Sequence, residues 1–274
     1  MSLNRSFILN SGYKIPAVGF GTWQAKPHEV EVAVETALRV GYRHIDAAAI
    51  YRNETEVGLG IKNNLGTDYL DLYIMHWPVA FRSGDEWFPL DKDGVFDLDS
   101  VSYVDTYKGL EKLLSTGKVK SIGVSNVNVR LQEVLDNCTV VPAVNQIEAH
   151  PYLQQTDLFE CKKHGVLVEA YSPLGNNTTG ESRTVDDPKV HEIADRLGVN
   201  PGQVLRGQVV LPKSVTKSRI ELNFQDFELP EKEFQELNSL ERHKRFNFPA
   251  HWGSDIFDLD NHDTLYFHRN GLGT

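Results

Sequence analysis

The sequence predicts an α/β fold of parallel βα units closing into a barrel, and three observations predict it. Seven short apolar runs recur along the chain, most of them followed by a helical pattern. These runs are nearly continuous rather than alternating, as expected of strands buried on both faces. Polar residues stand repeatedly where the runs end: Asp46, His76, Ser125 with Asn126, Gln146, Ser172, and Lys213 with Ser214. A barrel brings all such ends to one mouth, whereas an open doubly wound sheet holds those at opposite edges far apart.

The chain opens with "FILNSGYKIP", two apolar runs around Asn10-Ser11-Gly12, which reads as a hairpin that could cap the bottom of the barrel. The predicted strands are "AVGFGT" at 17–22, "HIDAA" at 44–48, "DLYIMH" at 71–76, "SIGVSN" at 121–126, "AVNQIE" at 143–148, "VLVEAYS" at 166–172 and "VVLPKS" at 209–214. Between them, Val30, Val34, Ala37 and Leu38 mark one amphipathic helix, and Tyr107, Leu110, Leu113 and Leu114 mark another. Asp187-Pro188 is an N-cap and first-turn pair for a helix through Leu197. Two long stretches, 79–102 and the tail after Arg245, read as loops that close over a site.

The 274 residues are 40% hydrophobic and 24% charged, enough for one large domain spanning 1–274. The formal net charge of -10 excludes a general nucleic-acid binder. No run approaches a membrane span and no leader pattern is evident, so a soluble, cytoplasmic protein is expected. Cys138 and Cys161 are too few for a disulfide framework. Asp46, His76, Glu148 and His150 are potential metal ligands, but they lack compact ligand spacing, and no metal is expected.

Tyr51, five residues after Asp46, has a hydroxyl that could deliver a proton to a developing alkoxide, with His76 ending another strand. Lys213, Ser214 and Arg219 supply two cations and a hydroxyl near a helix start, a plausible phosphate cradle. There is no G-x-G-x-x-G after the first strand and no Walker loop.

Six motifs in order, "GYRHIDAAAIYRNETEVG", "DLYIMHWP", "GVSN", "NQIEAHP", "AYSPLG" and "LPKSVTKSRI", resemble the aldo-keto reductase family over almost the whole chain. The resemblance implies a (β/α)8 TIM barrel with an N-terminal hairpin, and NADPH-dependent, reversible reduction of aldehydes and ketones by a monomer or dimer. It implies catalytic roles for Asp46, Tyr51 and His76, with Tyr51 as general acid and its pKa lowered by Asp46 and a lysine. Thr22, Trp23, Ser125, Asn126, Gln146, Tyr171, Ser172, Leu174, Lys213, Ser214, Arg219 and Asn223 would bind the cofactor. Ser125, Asn126 and Gln146 would hold its carboxamide, and Tyr171 would stack on the nicotinamide. Trp23, Tyr51, His76 and Trp77 would meet the substrate, with Phe81 joining the two tryptophans in an apolar wall and tail residues such as Trp252 closing the pocket. The branch resembled handles small polyol/aldehyde pairs such as glycerol and glyceraldehyde or pentoses. A non-catalytic NADPH-binding sensor is the alternative.

Two departures stand out. Leu222 occupies a position where the family commonly has glutamate beside the asparagine that meets the adenine, here Asn223. The third βα unit, whose strand ends in the catalytic lysine, is missing from "GLGIKNNLGTDYL" at 58–70. Lys62 and Asn63 are accordingly expected not to be covalent neighbours, with the lysine belonging between them. A smaller gap is expected at Val204-Leu205-Arg206-Gly207. A chain truly lacking an interior strand would retain unpaired edges.

Overall fold

The structure, a computed structural model, describes residues 5–127, 131–177, 180–205, 209–225 and 227–247. Strands β1 (Ser6–Ile8) and β2 (Lys14–Pro16) form the expected antiparallel hairpin, turned at Gly12 with φ +85°. β3 (Phe20–Gly21) leads into α1 (Pro27–Val40), which starts with Pro27 in its first turn and buries Val30, Val34, Ala37 and Leu38. Gly41 ends it at φ +124°, where an added Cβ would lie 2.8 Å from the Phe224 ring. β4 (Ile45–Asp46), a 3-10 turn (Ala49–Tyr51) and α2 (Glu54–Leu65) follow, then β5 (Leu70–Met75).

A small antiparallel pair, β6 (Ala80–Phe81) with β7 (Leu98–Asp99), structures the 79–102 stretch. Next come α3 (Tyr103–Leu114), β8 (Val119–Ser125), α4 (Leu131–Asn137), β9 (Val144–Glu148) and β10 (Leu167–Tyr171). α5 (Pro188–Leu197) has the expected cap, Asp187 Oδ1 accepting from the Lys189 amide at 2.7 Å. Then follow α6 (Pro201–Val204), β11 (Val209–Val210), α7 (Lys217–Phe224) and α8 (Glu231–Asn238).

All seven predicted strands are present and parallel, in the order β11-β10-β9-β8-β5 in one sheet with β3-β4 beside it. Isolated parallel bridges Val18 to Val210 and Gly21 to Lys213 join β3 to β11. The strands therefore describe one arc running β4-β3-β11-β10-β9-β8-β5. Among the described residues no pairing joins β4 to β5, so the arc is open there.

The opening lies where the missing unit was expected, on the far side of α2 from β4 along the chain. Lys62 and Asn63 are successive residues of unbroken α2: the Asn64 side chain donates to the Gly60 carbonyl at 2.7 Å, and the Gly66 amide donates to the Lys62 carbonyl at 3.1 Å. Helical bonding runs through the junction, with Gly66 in the left-handed region as a normal helix stop. β5 consequently has a bare side, with Leu70 51% and Tyr73 44% exposed. Of the second expected gap, Val204 and Leu205 are buried at the end of the four-residue α6, while Arg206 and Gly207 lie outside the described residues. No helix among the described residues is long and apolar enough to cross a membrane.

Candidate active site

Parallel order places the carboxyl ends of these strands together, and each chemical group enters from its own strand end. Thr22 and Trp23 follow β3. The fully buried Thr22 donates its hydroxyl to the Asp46 carbonyl at 2.8 Å, while Asn53 donates to the carbonyls of Thr22 and Ala25 at 3.1 and 3.0 Å. These bonds fix the β3 end against the turn carrying Tyr51. Trp23 then stands 4.9 Å from the Tyr51 ring and His76 stands 5.9 Å from it on another side. Trp77 stacks on His76 at 6.0 Å and joins an apolar cluster with Val79, Phe81, Phe96 and Leu98. From the same stretch Trp87 meets the Arg52 guanidinium at 5.2 Å, tying 79–102 to the residue after Tyr51.

Burial first, and then the charge of Glu169, push the Asp46 carboxyl up to about 6, against the opposing hydrogen bond from Gln146. Tyr51 is also raised, by burial and then by the Asp46 charge. This corrects the expected lowering. A carboxylate beside a phenol disfavours phenolate, and no lysine is among the groups acting on either residue. Burial holds His76 below its ordinary value and so neutral. Lys14 in β2, Lys26 before α1 and Lys62 in the last turn of α2 are all exposed.

On the other flank, Ser125 donates to the Gln146 carbonyl at 2.8 Å. Asn126, held at φ +60°, donates to the His76 carbonyl and to Ser125 Oγ, both at 2.9 Å. The Tyr171 hydroxyl donates to Asn126 Oδ1 at 2.7 Å, joining β5, β8 and β10 through one side chain. Ser172 is also left-handed, at φ +49°, and its hydroxyl accepts from Asn247 at 3.2 Å. Non-glycine residues held in this region cluster at functional sites. Leu174 is partly buried nearby, its carbonyl accepting from the Val185 amide at 3.0 Å.

Beyond β11, Lys213 is exposed and lowered by burial of its stem against the opposing charge of Glu29. Ser214 is buried, its hydroxyl accepting from the Thr216 amide at 3.0 Å. Arg219 is exposed on α7, Asn223 is buried, and Leu222 turns outward with 40% exposure. Trp252 and most of 246–274 lie outside the described residues.

Sequence reasoning missed Glu169 and His44. Glu169 is wholly buried in β10 and accepts from Gln146 at 3.0 Å; its other oxygen lies 3.1 Å from His44 Nε2, off the line of a full hydrogen bond. Burial opposes protonation of His44, but the charge and side chain of Glu169 outweigh it and hold the imidazole above its ordinary value. A lone carboxylate inside "VLVEAYS" was the available signal, since buried charges require partners. Glu148 and His150, weighed as metal ligands, instead bond each other at 3.0 Å, and Glu148 also accepts from the amides of Phe246 and Asn247 at 2.7 and 3.0 Å. Among the described residues no cluster of three or more ligating side chains is placed to hold a metal ion.

Fold and site together define a parallel α/β protein with Asp46, Tyr51 and His76 grouped beside a polar shelf at the carboxyl ends of its strands. The chain belongs to the aldo/keto reductase family of oxidoreductases: the family's model matches residues 17–64 and 62–242. The two pieces meet at the end of α2, where the arc is open. The D/L-glyceraldehyde reductase of Hypocrea jecorina is 41% identical over 319 residues, covering 95% of this chain and 96% of that protein. Since 95% of 274 residues is about 260, roughly 60 aligned positions have no residue of this chain opposite them. Human aldo-keto reductase family 1 member A1 is 37% identical over 295 residues, 88% of this chain and 91% of its own. The solved aldose reductase of Schistosoma japonicum superposes with a TM-score of 0.84 at 37% identity, covering 94% of this chain and 99% of that one.

Proposed function

We propose that the protein reduces a small aldehyde or ketone to the alcohol with NADPH, Tyr51 donating the proton. The observation that carries this reading is the placement of Tyr51 between Trp23 and His76 beside Asp46, across the mouth from Asn126 and Tyr171. The arc is read as the family's (β/α)8 barrel short of its third unit, a single domain with 79–102 and 246–274 as substrate loops.

The donor set fits a pyridine nucleotide. Tyr171 offers a partly buried ring; Thr22, Trp23, Ser125, Asn126 and Gln146 line one end of the path, and Ser172 and Leu174 lead from it. Lys213, Ser214 and Arg219 suit the 2′-phosphate that separates NADPH from NADH, with Asn223 at the adenine. Leu222, turned outward, offers that base no polar contact and weakens its hold modestly. When bound, the cofactor supplies hydride to the carbonyl carbon. Tyr51 donates its hydroxyl proton to the carbonyl oxygen, neutral His76 donates a hydrogen bond to the same oxygen, and Trp23 and Trp77 exclude water.

The raised Tyr51 hydroxyl keeps its proton until charge develops on the carbonyl oxygen. The same group serves both directions, because the proton transfer of reduction is retraced when the alcohol is oxidised. Glyceraldehyde and pentoses are the favoured substrates, supported by the similarity to D/L-glyceraldehyde reductase. A cytoplasmic location, as monomer or dimer, accompanies this reading.

A second reading, an NADPH-binding sensor or auxiliary subunit without turnover, is favoured by one observation: no lysine acts on Tyr51 or Asp46. Consumption of NADPH absorbance with glyceraldehyde, measured beside NADPH binding by tryptophan fluorescence, separates the two. Tight binding with zero turnover overturns the reductase and supports the sensor.

A further inference from the structure

Two groups in the polar interior between β4, β9 and β10 have no part in the chemistry above: Glu169 and His44. Glu169 stands directly beside Gln146 in the β9–β10 register and is 0% exposed. The Gln146 amide nitrogen has two hydrogens, and two carboxylates take both of them. Asp46 Oδ1 accepts one at 3.1 Å and Glu169 Oε2 accepts the other at 3.0 Å. A primary amide donates only from nitrogen and accepts only at oxygen. Turning the group over would set its oxygen against two carboxylates, exchanging two charge-assisted bonds for two repulsions. Asp46 alone would hold only one hydrogen; Glu169 holds the second. His44 steadies Glu169 from behind, with Nε2 at 3.1 Å from its far oxygen and Nδ1 at 3.2 Å from the Pro16 carbonyl.

We propose that Glu169, backed by His44, is a positioning residue that locks Gln146 with its amide nitrogen toward the carboxylates and its oxygen on the opposite side, where it accepts an N–H from the ligand. The ligand group is the amino half of a nicotinamide carboxamide, so the inference rests on the cofactor reading above. Gln146 thereby becomes a filter: a pyridine nucleotide with a methyl ketone in place of the carboxamide sets a methyl group where the N–H would be, and the Gln146 oxygen loses its donor. No change in shape is needed for this discrimination. It follows from which end of one amide is free.

The test measures binding of NADPH and of its 3-acetylpyridine analogue by tryptophan fluorescence at pH 8, for the unaltered protein, Glu169→Leu and Glu169→Gln. The unaltered protein should bind the analogue at least about tenfold more weakly than NADPH. In Glu169→Leu only Asp46 still opposes turning of the amide, so both orientations become accessible. The preference for an N–H partner is then lost, and the gap should fall to within about threefold. Glu169→Gln, which still presents an oxygen to Gln146, should keep the full gap; a merely structural role would not sort the two variants this way. Glu169→Met, closer in volume, carries the same expectation if the leucine variant does not fold. Equal binding of both nucleotides by the unaltered protein overturns the assignment, as does an undiminished gap in folded Glu169→Leu or Glu169→Met. Absence of NADPH binding by the unaltered protein overturns the cofactor reading and this assignment with it, which distinguishes that failure from binding without discrimination.

Discussion

The two flanks of the strand arc are built to different standards. On one side β9 has all five residues buried, with neighbours on both edges, and β8 is buried at all but one position. On the other side β5 is paired, among the described residues, only with β8, and its Leu70 and Tyr73 face solvent. A half-exposed leucine forgoes roughly 1 kcal/mol of burial. The proposed site straddles the same division: Ser125, Asn126, Gln146 and Tyr171 stand on the closed flank, while Asp46, Tyr51 and His76 stand beside the gap. Binding and turnover should therefore be separable in this molecule, with binding on the sturdier side.

The largest contrast should come from placing one substitution on each flank. Val144→Lys, at a wholly buried position of β9, is expected to cost more than about 4 kcal/mol and leave little folded protein, because an unpaired charge would enter the core. Leu70→Lys on β5 should stay within about 0.5 kcal/mol and reduce self-association, since charge on a bare edge discourages strand pairing. Urea unfolding of both variants measures the difference, and comparable losses would show the flanks to be equivalent.

The functional counterpart is smaller. Tyr51→Phe is expected to cut glyceraldehyde reduction at least about 100-fold while leaving the NADPH Kd within about threefold. Lys213→Ala should do the reverse, weakening NADPH by about tenfold with little loss of turnover at saturation and little change for NADH. An active Tyr51→Phe protein would refute the proton-donor role.

Asp46 sharpens the comparison through pH. Its folded-state pKa of about 6 lies above the ordinary 3.8, so the folded protein holds this proton more tightly and ionisation works against folding. The penalty is absent well below pH 4, grows between about pH 4 and 6, and is complete above. Asp46→Asn should accordingly raise stability at pH 7.5 by at most about 3 kcal/mol, with a gain that shrinks steadily toward pH 4.5. A Tm difference independent of pH would contradict the burial and Glu169 repulsion invoked for it. The smallest effect is local: amides of β5 on the gap side should exchange hydrogen more than about tenfold faster than those of β9.

Much of this was legible because strands buried on both faces write themselves as apolar runs. "AVNQIE" and "SIGVSN" became β9 and β8 with little adjustment, and Asn10-Ser11-Gly12 made its turn. Individual site residues could be named because polar groups at strand ends are conspicuous. Their coupling was not legible. Nothing in the spacing of His44, Asp46, Gln146 and Glu169 says that two carboxylates share one amide, since the contact spans 100 residues between Asp46 and Gln146. Nor did the residues near Tyr51 reveal the sign of its shift, which depends on which charge is within reach.

The sequence by itself determined the parallel α/β class, the family, the candidate chemistry of Asp46, Tyr51 and His76, and the place where a βα unit is wanting, because each is carried by local pattern or by motifs in order. Only the tertiary structure decided that no pairing among the described residues closes the arc between β4 and β5, that Tyr51 is raised rather than lowered, and that Glu169 accepts from Gln146 with His44 beside it. These are matters of distance between segments remote in the chain, and electrostatic and packing energies depend on that distance rather than on position along the sequence.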